Sequence, residues 1–244
     1  MIKTKNFKKA LTILLSLSML LCLVGSFGSI KANAATDRVS MYLLDPIFSK
    51  YGMSSVNIYV KTKDNASNQQ VYVHYQYRTD QDWQDKQAEY LMTLSDGSKI
   101  WKATISSYSI EYAIKYVADG ETIWDNNNGN NYGYELLGTA PITVNRNYYT
   151  SYDNFNVNVT LQNYGYNKNV QVRYTENNWA TFTDVPLSYK STNTDGTEIW
   201  GTTLSLDSSK SDSFEYCVYY EVNGQTYWAN NFGENYNHSH RVYP

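Results

Sequence analysis

The sequence predicts an all-β protein, and three observations carry that prediction. Apolar and polar residues alternate at period two in many short runs, as in Val56–Val60, Val71–Tyr75, Ile110–Tyr116 and Phe155–Val159. Asp119-Gly120 and Asn223-Gly224 sit between such runs, where a two-residue hairpin turn needs positive φ. No segment sustains a helical period. Several short strands within about 100 residues point to an immunoglobulin-like antiparallel sandwich.

The N-terminus reads separately. Lys3, Lys5, Lys8 and Lys9 precede an apolar run from Ala10 to Val24, followed by the small-residue site Ala32-Asn33-Ala34. That order predicts a signal peptide over residues 1–34 and a secreted mature chain of residues 35–244. The apolar run is shorter than the roughly 20 residues a span needs, so no membrane span is expected in the mature form. Removing the five lysines of residues 1–34 takes the net charge from −3 to −8. An acidic chain is poorly suited to nucleic acid, which demands a basic patch. Cys217 is the single cysteine after residue 34, so no intrachain disulfide is expected.

The remainder is a repeat. Val71, Tyr90, Asp96 and Ile100-Trp101 recur as Val170, Tyr189, Asp195 and Ile199-Trp200, each 99 residues on. Beyond there the offset becomes 104, and Trp124-Asp125-Asn126-Asn127 through Tyr132 recurs as Trp228-Ala229-Asn230-Asn231 through Tyr236. A period near 100 is the size of a domain. The expected organisation is two tandem sandwich domains, residues 35–138 and 139–244, meeting at Gly138-Thr139-Ala140-Pro141.

The six tryptophans fall into three pairs. Trp101 lines up with Ala103 and Ile105, and Trp200 with Thr202 and Leu204, so this pair is expected in the core. Trp83 and Trp179 lie in wholly polar loops, where burial would strand many polar groups, and are expected to be exposed. Trp124 and Trp228 close a strand and open an Asn-rich turn; periodicity does not decide whether they cap the core or face out. The asparagines of that turn have two readings. A side-chain amide donates and accepts at once, which suits a sugar hydroxyl. Asparagine also supplies turn geometry with positive φ.

The block from Phe214 to Trp228 followed by Asn230-Asn231-Phe232-Gly233-Glu234-Asn235-Tyr236 resembles the signature of the family 21 carbohydrate-binding modules. Val170–Tyr174 with Asn178-Trp179 and Asp184-Val185-Pro186 resembles it too, as does Trp124–Asn127 with Gly129 and Asn131-Tyr132. The resemblance implies a β-sandwich that binds starch- or glycogen-type α-glucan without hydrolysing it and without a cofactor or metal. It implies one site at Trp179, Trp228, Asn230 and Asn235, repeated at Trp83, Trp124, Asn126 and Asn131. A second site falls near Tyr166 and Tyr189; the first repeat keeps Tyr90 but has Ser67 in place of Tyr166. A further aromatic of the family pattern falls on Cys217 and Ala113, neither aromatic. The loop before Trp83 is three residues longer than that before Trp179, which would displace Trp83. Such a free-standing pair would act beside separate amylolytic enzymes.

Three rivals were weighed on the residues. A glycosidase needs two carboxylates across the bond. Between the repeats Asp125 becomes Ala229, Glu121 becomes Gln225 and Asp85 falls on Thr181, while Glu111 and Glu215 recur without an acidic partner. Asp125–Gly129 looks like a calcium loop, but its glycine comes one place early and its acid is lost in the second repeat. An extracellular protein-interaction or cell-surface-binding sandwich pair, with no sugar ligand, would also use exposed tryptophans.

Overall fold

The computed structural model describes residues 38–49, 52–77, 82–106, 110–146, 154–207 and 213–239; the expected signal peptide lies outside them. The extended runs anticipated above are strands. The first half holds Val39–Ser49 (β1), Gly52–Thr62 (β2), Gln69–Tyr77 (β3), Gln84–Gln87 (β4), Glu89–Thr93 (β5), Lys99–Ile105 (β6), Ile110–Ala118 (β7) and Glu121–Asp125 (β8). The second holds Ile142–Val144 (β9), Asn154–Leu161 (β10), Lys168–Thr175 (β11), Thr183–Pro186 (β12), Ser188–Thr192 (β13), Glu198–Ser205 (β14), Ser213–Val222 (β15), Gln225–Ala229 (β16) and Tyr236–Ser239 (β17).

The strands pair antiparallel in four sheets. Their orders are β1-β2-β6-β5 and β4-β3-β7-β8, then β9-β10-β14-β13 and β12-β11-β15-β16, with β17 added beside β15. The second pair of sheets repeats the first strand for strand. In each half the inward residues of two sheets meet in one core. One core runs from Val39 to Ala118 and includes Ile58, Val73, Tyr112 and Tyr116. The other runs from Ile142 to Ala229 and includes Val159, Val172, Phe214 and Tyr220. The hairpin signals hold: Asp119 and Gly120 have φ of 49° and 86°, and Asn223 and Gly224 have 51° and 74°. Trp101 and Trp200 are half-buried at the core margins rather than inside. Their indole N–H groups donate to Thr62 Oγ1 and Glu198 Oε2.

Residues 35–244 gather into one compact unit. The alternation in Val56–Val60 explains how. Val56, Ile58 and Val60 face the first core, yet Asn57 and Tyr59 on the opposite face are also buried, at 7% and 4% exposure. The second half covers that face. The Phe232 ring lies 4.5 Å from Tyr59 and 6.3 Å from Tyr42. Arg146 Nε lies 2.7 Å from Asp45 Oδ1, with its guanidinium 5.3 Å from the Tyr236 ring. The junction peptide is itself bonded to β1. Gly138 and Ala140 N–H donate to the Tyr42 carbonyl, and Thr139 N–H donates to that of Met41. A Cβ on Gly138 would run into the Met41 backbone carbonyl.

Two predictions follow from this packing. Gly138→Ala should destabilise residues 35–244 by about 1–3 kcal/mol; urea unfolding of both proteins measures it. Burial pushes the phenols of Tyr42 and Tyr59 up to about 12, and those of Tyr216 and Tyr236 higher still. The folded state therefore holds protons that the unfolded chain releases from its ordinary value of 10.0 upward. Stability should be intact below that point and fall as pH rises toward 12. The share of phenolate absorbance contributed by these four buried tyrosines, read as the difference that Tyr→Phe at each position removes, should appear only together with loss of near-ultraviolet circular dichroism.

Candidate functional site

The strand-end tryptophans face outward. On β16, Ala229 points into the core and Trp228 away from it, 46% exposed; on β8, Asp125 points in and Trp124 out, 40% exposed. Each lies on the outer face of a β3-type sheet, beside a basic or titratable side chain carrying a second ring.

In the first half that side chain is His74. Trp83 stacks on it with centroids 4.8 Å apart and planes at 10°, and Trp124 meets it edge-on at 5.1 Å. His74 Nδ1 is 2.6 Å from one Asp85 oxygen, and the other accepts from Lys115 Nζ at 2.7 Å. In the second half it is Arg173. Its guanidinium lies 4.0 Å from the Phe182 ring and 5.8 Å from that of Trp228. Two hydrogen bonds of 2.7 Å to Asp184 hold it flat. Tyr219 packs beside Trp228 at 5.1 Å.

This geometry corrects two sequence correspondences. Asp85 pairs with His74 across β3 and β4, and Asp184 with Arg173 across β11 and β12. Asp85 therefore matches Asp184 rather than Thr181, and Trp83 matches Phe182 rather than Trp179. The longer loop before Trp83 misled the alignment. Trp83 with Trp124, and Phe182 with Trp228, are the equivalent ring pairs. The 99-residue offset, carried through this loop from Asp85 to Asp184, would have exposed Phe182.

Trp179 is positioned differently. It is half-buried with φ of 64°. Its indole N–H donates to Glu215 Oε2 at 2.7 Å, and its backbone N–H donates to Thr175 Oγ1. The matching acid in the first half, Glu111, accepts instead from Asn131 Nδ2 at 2.6 Å and from Gln76 Nε2 at 3.1 Å. The recurring glutamates that lacked a partner in sequence thus orient predicted site residues.

The Asn-rich turn has the backbone geometry of the second reading. Asn127, Asn128 and Gly129 all have positive φ, as do Asn231, Phe232 and Gly233, and Asn131 and Asn235 follow suit. The Asn126 and Asn230 side-chain oxygens accept from Gly129 and Gly233 N–H, and the Asn127 and Asn231 amides donate to the Asn131 and Asn235 carbonyls. Those groups serve the turn itself. In these turn bonds Asn126 and Asn230 use their side-chain oxygens and not their NH₂ groups. The calcium reading fails at Asp125: the carboxylate is buried and accepts from Met41 N–H at 2.8 Å and from the Tyr132 hydroxyl.

The second predicted group is only partly assembled. Tyr189 is 51% exposed and packs edge-on to Trp200 at 6.1 Å; Tyr90 is 54% exposed and repeats this on Trp101 at 5.8 Å. Each hydroxyl bonds a threonine three residues on, Thr192 or Thr93. Tyr166 stands 96% exposed in the loop between β10 and β11, and no direct contact joins it to Tyr189 among the described residues.

The electrostatics are those of a fixed surface. Arg173 holds the Asp184 carboxyl below its ordinary range. Desolvation raises Asp85, but bonds from Lys115 and His74 outweigh it and hold this carboxyl low as well. Neither is a poised proton donor. Burial pushes the Cys217 thiol up to about 11, which keeps it protonated and unreactive. Among the described residues no helix is long and apolar enough to cross a membrane.

Glu215→Ala should free the Trp179 indole, reducing tryptophan near-ultraviolet circular dichroism, whereas Glu215→Gln, which keeps an acceptor oxygen, should preserve most of it. An unchanged spectrum for Glu215→Ala would show that the glutamate does not orient the ring.

The family described as "Carbohydrate/starch-binding module (family 21)" matches residues 139–239. "Protein phosphatase 1 regulatory subunit 3B" of Homo sapiens is 40% identical over 84 residues, 32% of this chain and 29% of that protein. "Protein phosphatase 1 regulatory subunit 3C" of Bos taurus is 33% identical over 82 residues, 32% of this chain and 26% of that protein. The matches thus span less than a third of these relatives' length. The starch binding domain of Rhizopus oryzae glucoamylase, solved with beta-cyclodextrin and maltoheptaose, is 26% identical, covers 41% of this chain and 93% of its own, and superposes with a TM-score of 0.35. Over residues 139–239, then, this chain carries a segment similar to the family 21 starch-binding modules.

Proposed function

We propose that the protein is a non-catalytic binder of starch- or glycogen-type α-glucan, with one outward aromatic platform on each of two tandem modules. The observation that carries this is the recurrence of the platform. Trp83 and Trp124 flank His74 in one half, and Phe182 and Trp228 flank Arg173 in the other. The family match over residues 139–239 supports it for the second module. The phosphatase regulatory subunits are matched over less than a third of their own length, so the reading takes glucan binding and leaves phosphatase regulation aside.

The chemistry fits a neutral hydroxylated chain. The axial C–H face of a glucose ring lies well on an aromatic plane, and by analogy with base stacking each such contact contributes roughly 1–3 kcal/mol. The NH₂ groups of Asn126 and Asn230 can donate to ring hydroxyls. Two such contacts with amide bonds give a module affinity of about 10 µM to 1 mM. Two linked sites on one polymer gain roughly 10² or more in avidity. The carboxyls beside the platforms, Asp85 and Asp184, are held low by their basic partners, which supports binding without hydrolysis. Secretion rests on residues 1–34, and in that setting the protein would work beside separate amylolytic enzymes.

The test is a pulldown of residues 35–244 on insoluble starch and on cellulose, with and without β-cyclodextrin. Starch alone should retain the protein, and cyclodextrin should release it. Trp83→Ala with Trp124→Ala, or Phe182→Ala with Trp228→Ala, should each weaken retention by about tenfold or more through lost avidity. A folded wild type that ignores starch would leave a protein or cell-surface ligand as the better reading.

A further inference from the structure

We propose that the cleft between the two halves is an additional α-glucan subsite, built jointly by both and continuous with the Trp228 platform; it rests on the glucan reading above. The cleft has a volume of about 220 Å³. Tyr42, Tyr59, Met92 and Leu94 wall it from the first half, and Trp228 and Asn230 from the second. Neither half forms it alone.

Continuity is the first argument. Trp228 lines the cleft and also carries the outer platform with Tyr219 and Arg173. A linear chain lying on that ring has an adjacent opening into which its next residues can run. Asn230 lines the same cleft.

Lining chemistry is the second. Phenols, asparagine amides, Thr143 and the Asp45 carboxyl line it together with apolar side chains, a mixture that can meet both the faces and the hydroxyl rim of a sugar. Burial keeps the phenols of Tyr42 and Tyr59 protonated and able to donate. The volume lies below the roughly 300–1,000 Å³ of pockets that engulf a drug-sized ligand. It suits one or two rings at the end of a chain whose remainder lies on the platform.

Phe232 in the cleft lining points the same way. It adopts φ of 58°, a left-handed conformation that is unfavourable for a residue carrying a side chain. Its counterpart Asn128 has nearly the same φ, 56°, but is exposed. Of these two matching turn positions the second alone holds a bulky ring in this conformation, and there it packs 4.5 Å from Tyr59 and lines the cleft.

The experiment compares a linear and a closed glucan on residues 35–244 labelled with ¹³C at the methionine methyl groups. Met92 is assigned through Met92→Leu. Maltoheptaose should shift the Met92 signal, saturating with the Kd read from tryptophan quenching, while β-cyclodextrin, which has no end to thread, should leave it in place. Leu94→Arg, which fills the cleft from the first half, should weaken maltoheptaose by about fivefold to tenfold and β-cyclodextrin by less than about twofold. A stationary Met92 signal while maltoheptaose quenches tryptophan normally would overturn the subsite and leave the platforms standing. Absence of any binding by the wild type would overturn the glucan reading, and the subsite with it.

Discussion

A run of left-handed backbone governs the arrangement of this molecule. After each outward tryptophan the chain takes three successive residues with positive φ, then a fourth two places on. Asparagine and glycine tolerate that conformation best, and the asparagine side chains replace the missing ladder bonds with bonds inside the turn. The turn ends the strand abruptly, so the tryptophan stands at an edge rather than within a sheet. It also returns the chain to the long hairpin strand, where Tyr132 stacks on Tyr112 and Tyr236 on Tyr216. One device therefore sets the platform, its amide donor and the aromatic stack beneath.

The two halves use the device differently. In the first, the turn faces solvent and Asp125 anchors it to Met41 N–H and the Tyr132 hydroxyl. In the second, Ala229 replaces that acid, and the turn is held from outside through Phe232 against Tyr42 and Tyr59. The Asp45–Arg146 pair reinforces the same contact. Burial raises the Asp45 carboxyl although Arg146 and the Asn57 amide pull it down, as expected where an ion pair is largely withdrawn from water.

Much of this was legible in sequence because alternation, Asn-Gly pairs and recurrence are local signals. Strands around Val56, Val71, Ile110 and Phe155, and both hairpins, could be read directly. Trp124 and Trp228 were placed at strand ends, though their direction needed the registers of β8 and β16. What could not be read depended on partners distant in the chain. Alternation in Val56–Val60 puts Asn57 and Tyr59 on the face away from the first core, and Tyr59 is covered there by Phe232, 173 positions further along the chain. Trp179 looked exposed in its polar loop until Glu215, 36 residues away, proved to hold its indole. The equivalence of Trp83 and Phe182 is hidden in sequence, because the loop-length difference before Trp83 is resolved only by the β3–β4 and β11–β12 registers. Glu111 and Glu215 were sought as catalytic acids, where their lack of an acidic partner told against them; their hydrogen-bond partners are amides and an indole.

The junction peptide carries a further consequence. Gly138, Thr139 and Ala140 are laid along β1 and bonded to it, so no slack chain separates the halves. A flexible tether lets a second site search a volume, tolerating many spacings at the cost of a diluted local concentration. Here the search volume is nearly nil. On the glucan reading proposed above, the pair would act as a calliper with its jaws fixed at one opening, and a polymer would either present its turns at that pitch or engage one jaw alone. Discrimination between packed granules and loose chains would then come from geometry rather than from the strength of either contact.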